Sequence, residues 1–138
     1  MYEQFLSSPT AKQWKRLGIK RRAGVIAPLF SVYSKNSIGI GEIPDIALLA
    51  DWVKACGMSL IQLLPMNDTG FKFTPYDSES GFALDPMYLS LDRLDGVHLK
   101  LFRKDIDALR KKYPVKPPRV DYSFKKEKLE LLEKIFKT

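Results

Sequence analysis

Two residue types that often build chemical sites are almost missing from this 138-residue sequence. Cys56 is its only cysteine and His98 its only histidine. A single cysteine excludes an internal disulfide, and one cysteine with one histidine cannot supply the four ligands of a structural zinc site. We therefore expect a reduced, metal-free protein that needs no cofactor.

Long apolar runs are also absent. No segment approaches the ~20 apolar residues that a membrane-spanning helix needs, and residues 1–7 lack the basic start and apolar stretch of a secretory signal. Hydrophobic residues make up 45% and charged residues 28% of the chain, a mixture typical of globular proteins. These features predict a cytoplasmic protein without a membrane partner.

Basic residues outnumber acidic ones at both ends of the chain but not in its middle, and the net charge is +7. Residues 1–35 hold 7 basic and 1 acidic side chain, residues 36–98 hold 3 and 9, and residues 99–138 hold 13 and 6. A nucleic-acid-binding module would use basic flanks as phosphate contacts, but the acidic middle argues against that class. Lysines near the end, such as Lys126 and Lys128, alternate with glutamates, which favours a solvated helix face.

The hydrophobic pattern predicts a strand, a helix and a second strand. The apolar runs at 24–30 and 59–64 are typical of buried strands. Between them, positions 43–56 follow the helical period, with Pro44 in the first turn and Gly57 at the helix end. Such a unit makes two parallel strands joined by a right-handed crossover. No third strand is convincing, so the sequence does not show what would cover this sheet.

Further elements flank this unit. The pattern predicts a short helix at 10–17 capped by Thr10, a short strand at 87–91, a helix at 102–112, a linker marked by Pro114, Pro117 and Pro118, and a last helix from a Ser123 cap to about Lys137. The polar segment 67–82 is long for a structureless link, and such loops are more often functional than not.

Several short segments, in one order and spacing, match the opening of a known enzyme family. They are Gly24-Val25 with Pro28, Ile38-Gly39-Ile40-Gly41, Gln62-Leu63-Leu64-Pro65, Thr69-Gly70, Thr74-Pro75-Tyr76, Phe82-Ala83 with Pro86, and Arg119-Val120-Asp121-Tyr122. Over roughly residues 20–138 the chain therefore resembles the N-terminal part of the 4-alpha-glucanotransferases, or amylomaltases, which form family 77 of the glycoside hydrolases.

The chain departs from the family pattern at a few positions. Thr74 stands where serine is usual, which keeps the hydroxyl group. Asp85 stands where asparagine is usual, which exchanges an amide for a negative charge. Gly81 replaces a usual alanine, and Phe71 occupies a position that is often tyrosine.

The resemblance implies an α/β fold, a TIM (β/α)8 barrel with helical insertions. The two predicted strands would then open the barrel, with a helical lead-in at 1–22, the first β/α units at 23–91 and the start of a helical insertion at 92–138. A complete barrel of this kind takes about 250 residues, so we expect the barrel to be incomplete in this chain.

The resemblance also implies a reaction, the retaining transfer of alpha-1,4-glucan segments between maltooligosaccharide, glycogen or starch chains. One carboxylate attacks the anomeric carbon, a second acts as acid and then base, and a sugar hydroxyl replaces water. The family takes these carboxylates from later strands, so no catalytic residue is assigned here and the chain alone is expected to be inactive. The remaining part of the barrel, as a separate chain, is a candidate partner. A non-catalytic remnant that binds glucan or a protein partner is the alternative.

By family position, Tyr76 is the leading substrate-binding candidate. A tyrosine ring covers the apolar C–H face of a sugar while its hydroxyl reaches a polar group. Its alternative role is to hold its own loop in place. The hydroxyl of Thr74 either contacts a sugar or closes a local turn.

Three further candidates lie earlier in the same loop. Asn67 and Asp68 follow the second strand, at the face where barrels keep their chemistry, although Asn-Asp pairs also favour turns for local reasons. Phe71 belongs either to a glucan-binding surface patch or to a buried anchor of the loop.

Overall fold

The computed structural model describes residues 3–116 and 119–138. The helices are α1 (Glu3–Leu6), α2 (Ala11–Leu17), α3 (Asp45–Ala55), α4 (Arg103–Lys112) and α5 (Phe124–Phe136), and the strands are β1 (Gly24–Ala27) and β2 (Leu60–Leu63). This mixture of helices with a small parallel sheet is an α/β arrangement, as expected. Pro117 and Pro118 of the predicted linker lie outside the described residues. None of the described helices is long and apolar enough to cross a membrane.

The predicted strand–helix–strand unit is confirmed. Strands β1 and β2 pair in parallel, with Gly24 opposite Leu60 and Ala27 opposite Leu63, and α3 lies between them in the chain. Strand β1 ends before Pro28, which has no N–H to donate to a neighbouring strand. Gly57, with a φ of 73°, follows the end of α3 as predicted.

The prediction that these strands are buried is wrong. Ile26 in β1 is 67% exposed and Leu60 in β2 is 49% exposed, and Trp52 on α3 is 54% exposed. A parallel sheet is normally covered on both faces. Within the described residues this sheet has two strands, so much of its apolar surface faces solvent.

The hydrophobic core lies away from the sheet, where α4 and α5 pack against the irregular segments of the chain. Its buried members are Leu29, Ile38, Ile40, Met87, Tyr88, Leu91, Phe102, Ile106, Leu109, Tyr113, Phe124 and Ile135. The helix predicted at 102–112 is confirmed as α4, and Phe102, Ile106 and Leu109 face the core. Because the core draws residues from both sides of position 92, the two predicted segments 23–91 and 92–138 share one interior.

The short strand predicted at 87–91 is wrong, because the chain forms a 3-10 turn over Pro86–Tyr88. Proline suits the first position of a helical turn, since it has no N–H to leave unpaired. The side chain of Asp85 accepts a hydrogen bond of 3.0 Å from the Met87 amide and so caps the turn. This local capping, which the apolar pattern does not encode, favours the turn over a strand.

The two predicted helix caps occupy the expected positions without acting as side-chain caps. Thr10 precedes α2 and Ser123 precedes α5, but neither side chain bonds the first amides of its helix. The Ser123 hydroxyl instead lies 2.5 Å from a carboxylate oxygen of Asp121. Helix α5 forms at the predicted place because Phe124 and Ile135 on its apolar face are buried, which outweighs the loss of one cap. Helix α2 has no buried residue.

The helix α5 does not present all its lysines to solvent. Lys126 is exposed as predicted, but Lys128 is 0% exposed and Lys125 is 1% exposed. The prediction of a solvated face is therefore wrong for Lys128. A lysine can be buried in this way only where its charge meets an opposite charge and hydrogen-bond acceptors.

Candidate functional site

The segment that follows β2 folds back on itself and is called here the 67–85 loop. Asn67 and Leu84 form an isolated antiparallel bridge at its base, and the Asp68 amide donates a 2.9 Å hydrogen bond to the Ala83 carbonyl. The loop therefore leaves and returns at one place, beside the carboxyl end of the parallel strands.

Inside the loop the backbone is organised by tight turns around Asp68. Its carboxylate accepts a 2.9 Å hydrogen bond from the Gly70 amide, and its carbonyl accepts one of 2.8 Å from the Glu79 amide. Further along, the Asp77 amide donates to the Thr74 carbonyl at 3.0 Å. Asx turns of this kind are a local property of aspartate and asparagine.

The two leading candidates lie at the outer part of the loop. Tyr76 is 75% exposed, and Thr74 is exposed, with its hydroxyl 3.4 Å from the Lys72 carbonyl. Both side chains are therefore accessible to a ligand. Their roles in substrate binding remain predictions.

Three aromatic rings join the loop to the segment before α5. Phe73 packs on Tyr122 with 4.2 Å between ring centroids, and Phe71 meets Phe73 edge-on at 6.2 Å. Phe73 has a φ of 57°, which is unusual for a residue other than glycine. Phe71 itself is 61% exposed, so the structure places it at the surface and not as a buried anchor.

Lys125 of α5 lies beneath this loop. Its Nζ donates to a carboxylate oxygen of Asp85 at 2.6 Å, to one of Asp68 at 3.2 Å and to the Gly70 carbonyl. The three protons of an ammonium group thus match three acceptors. The same Nζ lies 5.5 Å from the Phe71 ring centroid, within range of a cation–π contact.

These contacts set the charge of Asp68. Partial desolvation raises the pKa of Asp68, but hydrogen bonds from the Gly70 amide and from Lys125 outweigh it, so the net pKa lies below the ordinary value. The carboxylate is therefore a charged anchor at neutral pH. Asp68 and its partly buried neighbour Asn67 lie at the base of the loop, and their contacts with sugar remain predictions.

Lys128, one helical turn further on, pairs outside the loop. Its Nζ donates to Glu42 Oε1 at 2.6 Å and to the Met87 carbonyl at 2.8 Å. Burial raises the pKa of Glu42 and lowers the pKa of Lys128, and the attraction between the two groups opposes both changes. This buried pair joins α5 to the segment that precedes α3.

Three carboxylates of the loop, those of Asp68, Asp77 and Asp85, are each paired with a lysine. Asp85 is 1% exposed and shared between Lys125 and the Met87 amide. Asp77 is exposed and lies 3.1 Å from Lys72. The described residues contain no group of three or more His, Cys, Asp or Glu side chains arranged to hold a metal ion.

Sequence reasoning missed both buried lysines of α5, Lys125 and Lys128. Lys128 falls on the apolar stripe of α5 together with Phe124, Leu131 and Ile135, and a charge on such a stripe could have been taken as a sign of a buried pair. The sequence does not show which groups Lys125 meets, because its partners lie 40 and 57 positions away along the chain.

The sequence matches a known protein family and several of its members. The family profile described as 4-alpha-glucanotransferase matches residues 27–138. A 4-alpha-glucanotransferase of Chlamydia pneumoniae is 48% identical over 90 residues, which are 65% of this chain and 17% of that protein. One of Chlamydia muridarum is 36% identical over 105 residues, 76% of this chain and 19% of that protein.

A third relative, the 4-alpha-glucanotransferase of Aquifex aeolicus, is 36% identical over 124 residues, 85% of this chain and 23% of that protein. The chain thus spans less than a quarter of the length of each of these relatives. No solved structure matches it significantly. The family profile covers most of the sequence, including the 67–85 loop, Lys125 and Lys128, and the chain accordingly belongs to the 4-alpha-glucanotransferase family, glycoside hydrolase family 77.

Proposed function

We propose that this chain supplies the 67–85 loop to the glucan-binding cleft of a 4-alpha-glucanotransferase. The observation that carries the proposal is the contrast within the loop. At its base Asp85 is buried and paired with Lys125 of α5, whereas Tyr76 at its outer part is 75% exposed. A rigid base with an exposed aromatic side chain suits the binding of a sugar chain.

The loop side chains then take distinct roles. The Tyr76 ring covers the C–H face of a glucose unit, and its hydroxyl and that of Thr74 hydrogen-bond sugar hydroxyls. Phe71 extends the aromatic surface, and Asn67 and Asp68 lie at the base as further polar contacts. The substrates are alpha-1,4-glucans, in keeping with the name that the relatives carry.

The reaction itself is retaining transglycosylation, in which two carboxylates flank the scissile bond. We place those carboxylates outside this chain. Two observations support this assignment, since Asp85 is buried in an ion pair with Lys125 and Asp77 is paired with Lys72 at the surface. The chain alone is therefore expected to bind glucan without transferring it.

The strands β1 and β2 are proposed as the first two of an eight-stranded barrel. Residues 1–22 form the lead-in, 23–91 the first β/α units and 92–138 the start of a helical insertion. The exposed Ile26 and Leu60 support this arrangement, because further strands and helices would cover them. The remaining part of the barrel, as a separate chain, is the expected partner.

Binding of maltoheptaose, measured by isothermal titration calorimetry on the 138-residue chain, tests the glucan site. Tyr76→Ala should weaken binding by roughly tenfold or less, the loss expected for one aromatic contact. The matched control is Phe136→Ala, which removes a 93% exposed ring on the end of α5 and should leave binding unchanged. Equal binding by wild type and Tyr76→Ala would contradict the assignment of Tyr76.

A disproportionation assay with maltoheptaose tests whether the catalytic carboxylates lie outside this chain. The chain alone should show no transfer, and transfer should appear when the Chlamydia pneumoniae relative, with its matching segment removed, is added as a separate chain. Transfer by the 138-residue chain alone would mean that its own carboxylates perform the reaction.

A further inference from the structure

We propose that Lys125 is the positioning residue of the 67–85 loop, holding both ends of the loop against α5 so that Thr74 and Tyr76 are presented in one place. The part of the inference that concerns glucan binding rests on the proposed function. The part that concerns the order of the loop does not depend on it. The role of Lys125 is assigned from the contacts of its Nζ.

The first argument is the geometry of the three acceptors. The carboxylate of Asp68 and the carbonyl of Gly70 belong to the start of the loop, and the carboxylate of Asp85 belongs to its end. One ammonium group therefore connects the start of the loop to its end. The Asn67–Leu84 bridge and backbone hydrogen bonds join the same two segments.

The second argument is burial. The side chain of Lys125 is 2% exposed and that of Asp85 is 0% exposed. Removing one partner of a buried pair leaves the other charge without compensation, which is far more damaging than losing an exposed pair. Because every hydrogen bond found for the Lys125 Nζ goes to the loop, the damage falls on the loop first.

The third argument concerns the outer part of the loop. The Lys125 Nζ also lies 5.5 Å from the Phe71 ring centroid and 5.7 Å from that of Phe73. Phe73 immediately precedes Thr74 and is held by Tyr122 as well. The segment that contains Thr74 and Tyr76 is thus coupled to α5, because the Phe71 and Phe73 rings pack around the Lys125 ammonium group.

The chain contains a matched control on the same helix. Lys128 is as deeply buried as Lys125, but its Nζ bonds Glu42 and the Met87 carbonyl, which lie outside the loop. Lys125→Met and Lys128→Met each remove one charge from a buried pair and keep a long apolar side chain. They differ in whether the lost contacts belong to the 67–85 loop.

The primary test is hydrogen exchange on the unliganded 138-residue chain, followed at the amides of Gly70, Asp77 and Glu79, each of which is hydrogen-bonded within the loop. Lys125→Met should speed their exchange, relative to the amides of α4, by about tenfold to a hundredfold, the range for losing a hydrogen bond to a charged group. Lys128→Met should change the exchange rates of the loop amides and of the α4 amides by similar factors.

Each variant is measured at a temperature where circular dichroism shows it folded. If Lys125→Met does not fold, Asp85→Asn serves in its place, since it keeps an oxygen for the Met87 amide and removes the charge that faces Lys125. If Lys128→Met does not fold, Glu42→Gln provides the control. Loop amides that exchange no faster in the Lys125 or Asp85 variant than in the control would overturn the inference.

Maltoheptaose binding then separates the inference from the proposed function. Where wild type binds, Lys125→Met should raise the Kd by at least as much as Tyr76→Ala, and Lys128→Met should leave the Kd near that of wild type. Equal Kd values for the two lysine variants would overturn the positioning role in glucan binding. Absence of binding by wild type would instead overturn the proposed function, while the exchange data still decide whether Lys125 orders the loop.

Discussion

At the scale of single residues, Asp68 shows how a turn-forming side chain becomes an electrostatic anchor. Its carboxylate accepts from the Gly70 amide within its own turn and from Lys125 across the molecule. Partial desolvation raises the pKa of Asp68, yet these hydrogen bonds outweigh it and bring the pKa below 3.8. The charged form is thus favoured more in the folded chain than in the unfolded one.

This shift predicts a pH-dependent contribution to stability. A carboxylate whose folded pKa lies below its unfolded value of 3.8 stabilises the fold above that pH and loses the effect as the pH falls through the folded pKa. Asp68→Asn should therefore lower the free energy of unfolding at neutral pH, and the gap to wild type should shrink below pH 3.8.

Urea unfolding of both proteins across the acid range measures this gap. Asparagine is a suitable replacement, because its oxygen still accepts from the Gly70 amide while the charge that meets Lys125 is gone. A gap that stays constant down to the lowest pH at which both proteins fold would show that the charge of Asp68 contributes nothing.

At the scale of elements, α5 organises the molecule from the side that holds the core. It buries Phe124 and Ile135 among apolar residues, and it buries Lys125 and Lys128 against carboxylates. The segment before α3 packs closely on the first turn of α5, where Gly39 lies under the Phe124 ring. The Gly39 amide also donates a 2.9 Å hydrogen bond to the Tyr113 carbonyl.

This packing predicts a large effect of a small substitution. A Cβ on Gly39 would lie 2.8 Å from a Phe124 ring atom, and the φ of Gly39 is 73°. Gly39→Ala should therefore destabilise the chain by more than about 1 kcal/mol, because both strain and overlap act at one site. The control is Gly81→Ala, where a Cβ meets nothing within 4 Å and φ is not positive.

Thermal unfolding followed by circular dichroism compares the two alanine variants. We expect a clear drop in Tm for Gly39→Ala and a Tm near that of wild type for Gly81→Ala. Two equal Tm values would mean that Phe124 moves aside at no cost and that the contact with α5 is loose.

At the scale of the whole molecule, the core and the sheet differ in how far they are buried. The core between α4 and α5 is closed, with Leu91 and Ile106 fully buried. The sheet is open, and Ile26 on β1 is 67% exposed. The free energy of folding thus comes mainly from the core, and the sheet presents apolar surface of the kind that marks an interaction site.

A pair of identical substitutions tests this division. Ile26→Thr keeps a β-branched side chain in a strand and should change Tm by no more than about 3 °C, as surface substitutions do. Ile106→Thr places the same hydroxyl in the core, where Ile106 is 0% exposed, and should lower Tm strongly. Equal losses of Tm would contradict the open sheet, and lower binding of a hydrophobic dye by Ile26→Thr would support it.

Much of the fold was predictable because its signals are local. The period of α3, the apolar runs of β1 and β2, and the buried face of α4 all follow from residues close together in the chain. The prediction of a strand at 87–91 was wrong, since Pro86 and the Asp85 cap determine the backbone conformation there. The prediction that β1 and β2 are buried was also wrong, since burial depends on what covers the sheet and not on the apolarity of the strand.

By itself, the amino-acid sequence determined the family, the parallel strand pair and the loop that carries Thr74 and Tyr76. Only the tertiary structure showed that Lys125 and Lys128 are buried and which carboxylates they meet. The physical reason is distance along the chain. Helical period and turn chemistry act within a few residues, whereas the partners of Lys125 and Lys128 come from 40 to 86 positions away and meet only when the core brings α5 against the loops.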